Sequence, residues 1–232
     1  MMRVLLSAVL LLAGALPLRA EPTGQPVGLE LVLAVDASAS ISGGALEFEL
    51  RGHAAAMRDP VVVQAARSTV IAATLAVFSG PHSLKVLVPW TIIRGEAEAE
   101  AFAAAILAAP REELAGATAL GSAIEEAARL FDGNGIEAPR RVIDIVSNGF
   151  SNAGLDPAIA RDRAVKRGIT VNALAILDEY PWLEGYYAES VIGGPGAFVH
   201  TATDKDSFVD ALKRKLVTEI VSLPSCTPST VR

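Results

Sequence analysis

The chain of 232 residues has one cysteine, Cys226, and only 5% aromatic residues. A single cysteine excludes an internal disulfide, so a packed apolar core must stabilise the fold. The three histidines, His53, His82 and His200, lack the close spacing of a zinc site. The sequence has no G-x-S-x-G nucleophile elbow, and the glycine-rich segment 193–196 lacks the spacing of a nucleotide-binding loop. Because no nucleophile is paired with a base, we expect a protein that is not an enzyme.

The N-terminus has the pattern of a secretory leader. Arg3 precedes an apolar stretch at 4–18, and the small residue Ala20 precedes the polar segment 21–24. The stretch is shorter than the roughly 20 apolar residues that a membrane-spanning helix needs. We therefore predict cleavage after Ala20, export to the periplasm or the cell exterior, and no stable membrane insertion after cleavage. An uncleaved membrane anchor is the alternative that these flanking residues leave open.

Positive charge is also scarce. The chain has 20 Lys and Arg against 26 Asp and Glu, a net charge of −6. Loss of the leader removes Arg3 and Arg19 and moves the net charge to about −8. No cluster of basic residues interrupts this excess, so neither nucleic acid nor anionic lipid is expected as a partner.

Short apolar runs alternate with longer helical patterns along the rest of the chain. Strand patterns cover 29–36, 68–79, 84–89, 141–147, 169–177 and 197–201. Helical patterns cover 42–59, 96–109, 117–131, 157–167, 180–192 and 204–222, with Pro60 interpreted as the end of the first helix. Strands separated by helices of this length form parallel βαβ units. The pattern predicts an α/β fold with a doubly wound, mostly parallel sheet, one antiparallel edge strand and helices on both faces.

The expected domain organisation is simple. About 210 residues remain after the leader, which is enough for one well-packed domain. No repeat, low-complexity segment or linker divides them. We therefore predict a signal peptide at 1–20, an N-terminal extension at 21–27, one domain at 28–222 and a C-terminal tail at 223–232.

Polar residues stand where the first strand, within LELVLAVDASAS, should end. Asp36, Ser38 and Ser40 are spaced two apart at the carboxyl end of this strand, which is where open α/β sheets bind ligands. Thr118 enters a helix on a second loop, and Asn148 follows the strand RVIDIVS on a third. Their oxygens suit Mg²⁺, Mn²⁺ or Ca²⁺. Without a metal, the same residues would serve as turn and helix-cap residues.

With these residues identified, the sequence resembles the von Willebrand factor type A superfamily. Its metal-ion-dependent adhesion site combines Asp-x-Ser-x-Ser with a Thr on a second loop and an Asp on a third. Asp36, Ser38 and Ser40 match the first element, and Thr118 matches the second. The resemblance covers roughly residues 28–222. The segments LELVLAVDASASI, VPW and RRVIDIVSNG are similar to a bacterial exported family of unassigned function within that superfamily.

This resemblance implies a Rossmann-like fold that binds a divalent cation, with Mg²⁺ as the first choice and Mn²⁺ or Ca²⁺ as alternatives. It also implies a protein or peptide partner that offers an acidic residue to the cation. The sequence departs from the pattern at Asn148, where an Asp is expected, and Ser122 is neutral where relatives often carry an acid. Three outcomes follow: a weakened but working site, a site completed by the partner's carboxylate, or a degenerate site.

The leading hypothesis is an exported binding module that uses the cation for recognition. One rival is a metal-dependent hydrolase at the same strand end, with Asp36, Asp144 or Asp178 as its general base. The other is a metal-free scaffold that binds its partner through aromatic residues. Its candidate residues are Trp90, Tyr180, Trp182, Tyr186 and Tyr187.

Overall fold

A computed structural model describes residues 24–39, 43–110, 114 and 116–222. The predicted leader at 1–20, the predicted tail at 223–232 and the predicted ligand Ser40 lie outside these residues. The elements in chain order are β1 (Gln25–Pro26), β2 (Leu29–Asp36), α1 (Gly43–Met57), α2 (Pro60–Thr69), β3 (Ile71–Phe78), β4 (Lys85–Ile93), α3 (Glu96–Ala108), α4 (Leu120–Arg129), β5 (Ile136–Glu137), β6 (Arg141–Ser147), α5 (Pro157–Lys166), β7 (Ile169–Ile176), α6 (Leu183–Tyr186), a π-helical turn (Tyr187–Val191), β8 (Val199–Ala202) and α7 (Lys205–Val221).

Six strands form the main sheet in the order β4-β3-β2-β6-β7-β8. All neighbouring pairs are parallel except β3 and β4, which are antiparallel and place β4 at one edge. The edge position of β4 tolerates Pro89, which has no backbone N–H to donate to a further strand. The predicted doubly wound, mostly parallel sheet with one antiparallel edge strand is therefore confirmed.

The central strand β2 is buried along its whole length because helices cover both faces of the sheet. Its alternate side chains enter two separate cores. Leu31 and Leu33 face the core that α1, α2, α3 and α7 complete, whereas Val32 and Ala34 face the core beneath α4, α5 and α6. This two-sided burial explains why the strand reads as a continuous apolar run rather than an alternating one.

The structure corrects the prediction that Pro60 ends the first helix. α1 ends at Met57, and Pro60 begins a separate helix, α2. The Asp59 side chain accepts a hydrogen bond from the Val61 N–H at 2.9 Å and caps α2. Proline is well placed in the first turn of a helix because the N–H groups there have no partner within the helix.

The helix predicted at 117–131 also begins later, at Leu120. The preceding residues are held as a loop by backbone hydrogen bonds to other segments. The Ala119 N–H donates to the Ser79 carbonyl, and the Gly116 carbonyl accepts from the Ala39 N–H, both at 2.9 Å. These contacts keep the loop extended beside the end of β2.

A buried charge network lies under α7, away from the carboxyl edge of the sheet. The Lys215 ammonium, in the middle of α7, contacts the carboxylate of Asp144 on β6 and donates to Glu219 Oε1 at 2.6 Å. All three side chains are buried. Asn172 on β7 donates to the same Glu219 oxygen at 3.0 Å. Asp144 is thus an ion-pair partner of the buried Lys215 ammonium.

Residues 25–26, within the predicted N-terminal extension, pair with Ile136–Glu137 as a short parallel two-stranded sheet. None of the helices in the described part of the chain has the length and apolar character needed to cross a membrane.

Candidate metal site at the carboxyl edge of the sheet

Asp36 ends β2 and is fully buried. Its Oδ1 accepts a hydrogen bond from the Ser38 N–H at 2.8 Å, and its Oδ2 accepts one from the Ser147 hydroxyl at 2.6 Å. Burial raises the pKa of this carboxyl group, whereas the hydrogen bonds from Ser147 and Ser38 lower it. These bonds fix the carboxylate directly beneath the loop that carries Ser38.

Ser38 and Thr118 are in direct contact. The Thr118 hydroxyl donates to the Ser38 hydroxyl at 3.0 Å, and both side chains are buried. The loop of Thr118 is fixed from its other side by Asn152, whose side chain accepts from the Thr118 N–H and whose own N–H donates to the Thr118 carbonyl, both at 2.9 Å. Thr118 does not cap α4, since Ala119 occupies the cap position. Its hydroxyl is therefore directed at the first loop.

The third loop packs against the second. Gly149 follows Asn148, and a side chain at Gly149 would place its Cβ only 3.3 Å from the Thr118 hydroxyl oxygen. The Gly149 N–H donates to the Ser147 hydroxyl at 3.0 Å, and its carbonyl accepts from the Tyr187 hydroxyl at 2.6 Å. Asn148 itself is buried, and its Oδ1 has no hydrogen-bond partner among the described residues.

The structure thus brings together four of the five predicted ligands, or the loops that carry them: Asp36, Ser38, Thr118 and Asn148. Their hydroxyl, carboxylate and amide oxygens fit a hard divalent cation, and the unpartnered Asn148 Oδ1 is an acceptor that a cation would satisfy. The described residues contain no group of three or more His, Cys, Asp or Glu that could hold a metal. Any cation here would therefore depend on neutral oxygens and few charges.

A cavity of about 340 Å³ adjoins this site, and Asn148 and Glu49 both line it. Glu49 projects from α1 and is 4% exposed, and its Oε2 has no hydrogen-bond partner within the described structure. Burial, with smaller contributions from the charges of Asp36 and Asp178, raises the pKa of Glu49 well above its ordinary value. Asp178 is exposed at the cavity rim, and its Oδ1 accepts from the Glu179 N–H at 3.0 Å.

Sequence reasoning missed Glu49. The signal was present in the periodicity of α1, where Leu46, Glu49, Leu50 and His53 recur at the spacing of one helical face. All four are buried. A carboxylate on an otherwise apolar face should have been recognised as a group that requires compensation.

The predicted aromatic patch is formed in part. Tyr180, Trp182 and Tyr186 form a continuous cluster with Phe150, which the sequence reasoning had not included. Trp182 is 52% exposed and Phe150 is 37% exposed. Of the other two predicted members, Trp90 lies apart and packs on Phe131, whereas Tyr187 is fully buried beneath the cluster's Tyr186, with the two ring centroids 5.8 Å apart.

The sheet order and the solved structures that resemble it identify the fold as that of a von Willebrand factor type A domain. The chain belongs to the family described as protein of unknown function (DUF1194), whose profile matches residues 26–224. No curated protein matches the chain significantly.

Proximal thread matrix protein 1 from the mussel byssus is similar with a TM-score of 0.59 and 17% identity, over 85% of this chain and 49% of that chain. BatB from Bacteroides thetaiotaomicron is similar with a TM-score of 0.53 and 17% identity, over 83% of this chain and 98% of that chain. The von Willebrand factor type A protein from Catenulispora acidiphila is similar with a TM-score of 0.54 and 16% identity, over 84% of this chain and 43% of that chain.

At these identities the likeness shows the fold alone. The chain spans about half the length of the mussel protein. One structure of that mussel protein has a zinc-occupied MIDAS motif, the metal-ion-dependent adhesion site.

Proposed function

We propose that this chain is an exported binding module, in the periplasm or outside the cell, that recognises a protein or peptide through a divalent cation. The observation that carries the proposal is the hydrogen bond from Thr118 to Ser38, directly above the buried carboxylate of Asp36. It unites two elements of the adhesion-site pattern from distant parts of the chain. The zinc-occupied motif in the mussel protein, which has the same fold, supports the proposal.

Each predicted ligand has a distinct part. Ser38, Thr118 and Ser40 would bind the cation through hydroxyl oxygens, and Asp36 would supply negative charge and orient metal-bound water. Asn148 would offer its amide oxygen. The cation, with Mg²⁺ as first choice and Mn²⁺ or Ca²⁺ as alternatives, would act as a Lewis acid toward an acidic side chain of the partner.

We propose recognition rather than catalysis. A general base needs a carboxylate that is able to take a proton from bound water. Asp36 already accepts two hydrogen bonds, and Asp144 contacts the buried Lys215. Of the three bases that a hydrolase could use, two are therefore committed to structural contacts, and the third, Asp178, lies exposed at the cavity rim.

A metal-free scaffold is the second candidate, and the cluster of Phe150, Tyr180, Trp182 and Tyr186 favours it. Exposed aromatic residues are frequent anchors of protein interfaces. In that case Asp36→Ala spares partner binding and Trp182→Ala weakens it.

Calorimetric titration of Mg²⁺ and Mn²⁺ into the purified protein tests the proposed function. We expect saturable binding that weakens at least tenfold in Asp36→Ala and tightens in Asn148→Asp. Asp162→Ala is the control, because that carboxylate is exposed and pairs with Arg161 away from the site. Absence of binding in the native chain, with binding restored in Asn148→Asp, would identify a degenerate site and overturn the metal-dependent function.

A further inference from the structure

Two buried acceptors line the cavity beside the candidate metal site, and neither has a hydrogen-bond partner in the part of the chain that the structure describes. They are Glu49 Oε2 and Asn148 Oδ1. Burying such an atom without a hydrogen bond is unfavourable, and burying an ionised carboxylate without a partner is more so. Two such acceptors at one cavity favour a ligand that is a cation or a hydrogen-bond donor.

No basic side chain of the described residues lines this cavity. Glu219, the buried glutamate under α7, differs in having a cation beside it: its Oε1 accepts from Lys215 at 2.6 Å and from Asn172 at 3.0 Å, although its Oε2 also has no hydrogen-bond partner among the described residues. One buried glutamate thus has a lysine as its ion-pair partner, whereas no Lys, Arg or His among the described residues lines the cavity of Glu49.

In the same region, this chain has one negative charge fewer than the adhesion-site pattern. Asn148 stands where the pattern places an Asp, so Asp36 is the one formal charge among the predicted ligands. We propose that Glu49 supplies the second carboxylate of the divalent-cation site and replaces the acid that is absent at position 148. This inference rests on the function proposed above. In this arrangement the carboxylate of Glu49, on α1, would bind the cation across the cavity that Glu49 and Asn148 both line.

The test is a calorimetric titration of Mn²⁺ into the native protein, Glu49→Gln and Glu47→Gln. Glu47 is the matched control, because it lies on the same helix and its carboxylate pairs with Arg51 at 2.5 Å. We expect at least tenfold weaker Mn²⁺ binding in Glu49→Gln and a change of less than twofold in Glu47→Gln. A Glu49→Gln protein that binds Mn²⁺ within twofold of the native affinity overturns the inference and makes Glu49 a protonated structural residue.

A double variant that moves the carboxylate from position 49 to position 148 makes the test specific. If Glu49 replaces the missing acid, Asn148→Asp added to Glu49→Gln restores Mn²⁺ binding to within about threefold of the native protein. Failure of this restoration also counts against the inference. Melting curves in chelator check the fold, and if Glu49→Gln does not fold, Glu49→Ala with the same comparison takes its place.

The outcomes separate the two proposals. Loss of Mn²⁺ binding in Asp36→Ala together with native binding in Glu49→Gln leaves the proposed function intact and removes Glu49 from the site. No binding in the native protein overturns both.

Discussion

The hydroxyl of Thr118 donates to the hydroxyl of Ser38 at 3.0 Å, although the two residues lie 80 positions apart in the chain. The loop after β2 and the loop before α4 therefore reach each other through side chains as well as through the backbone bond from Ala39 to Gly116. A contact between two hydroxyls above a buried carboxylate places three hard oxygen donors close together.

Replacement of Thr118 by Val tests the importance of this contact. The substitution keeps the branched shape but removes the hydroxyl, so we expect a stability loss of about 1 kcal/mol and at least tenfold weaker Mn²⁺ binding. Urea unfolding and calorimetry measure the two effects. Thr170→Val is the control, because the Thr170 hydroxyl makes only a 3.4 Å contact, to the Pro195 carbonyl. Native Mn²⁺ affinity in Thr118→Val would remove Thr118 from the site.

His53 should make stability depend on pH. Burial lowers the pKa of His53 to about 4, from an ordinary value of 6.5. The unfolded chain therefore binds a proton below pH 6.5 that the folded protein does not take up until about pH 4, so stability falls with falling pH across this window. Between pH 7 and pH 5 the loss due to His53 is about 2 kcal/mol.

The check for His53 is urea unfolding of the native protein and His53→Leu at both pH values. Leu does not titrate, so the variant lacks the loss of stability that His53 causes. On going from pH 7 to pH 5, the unfolding free energy of the native protein should therefore fall by about 2 kcal/mol more than that of His53→Leu. A difference that does not change with pH would show that His53 has an ordinary pKa in the folded state.

Lys215→Met should be strongly destabilising at neutral pH. It leaves the carboxylates of Asp144 and Glu219 buried without a cation, a change that typically costs 3–5 kcal/mol. Lys213→Met on the same helix is the control, because Lys213 is partly exposed, pairs with Asp59 at 3.2 Å and should cost about 1 kcal/mol or less. Denaturant unfolding distinguishes them, and equal losses in the two variants would contradict the account of the buried network.

Gly121→Ala tests the packing behind the second loop. A Cβ at Gly121 would lie 2.1 Å from the Leu155 carbonyl oxygen, so either α4 or the segment before α5 must shift. We expect a loss of about 2 kcal/mol or more in unfolding free energy. At Gly185 a Cβ would meet no atom within 4 Å, and Gly185→Ala should change stability by less than about 0.5 kcal/mol. A neutral Gly121→Ala would contradict the close approach of these segments.

The sheet was predictable because strands that are buried on both faces appear in the sequence as continuous apolar runs. β2 and β6 contain the predicted apolar runs, and the apolar side chains of both strands enter one or other of the two cores. Pro60 was misinterpreted because proline disfavours a helix interior yet fits the first turn, and the choice depended on the Asp59 cap. The parallel pairing of the strands, by contrast, was predictable from the helices that connect them.

The site was predictable only in part. Asp36, Ser38 and Thr118 formed a recognisable pattern because each follows a strand or precedes a helix at one edge of the sheet. Glu49 was not found, because its importance lies in the absence of a compensating partner, which depends on how α1 packs against the loop of Asn148. The periodicity of α1 places Glu49 on the same face as Leu46 and Leu50, but it does not show whether a partner or a cavity meets the carboxylate.

The central claim is that a divalent cation binds between the loops of Asp36, Thr118 and Asn148, and paramagnetic broadening of backbone amide signals by Mn²⁺ tests it most directly. Gly28 and Gly168 precede β2 and β7 at the opposite end of the sheet, about 25 Å away at roughly 3.3 Å per residue. We predict that substoichiometric Mn²⁺ broadens the amides of Ser38, Thr118 and Gly149 and leaves those of Gly28 and Gly168 sharp. Uniform broadening, or broadening centred elsewhere, would contradict the account.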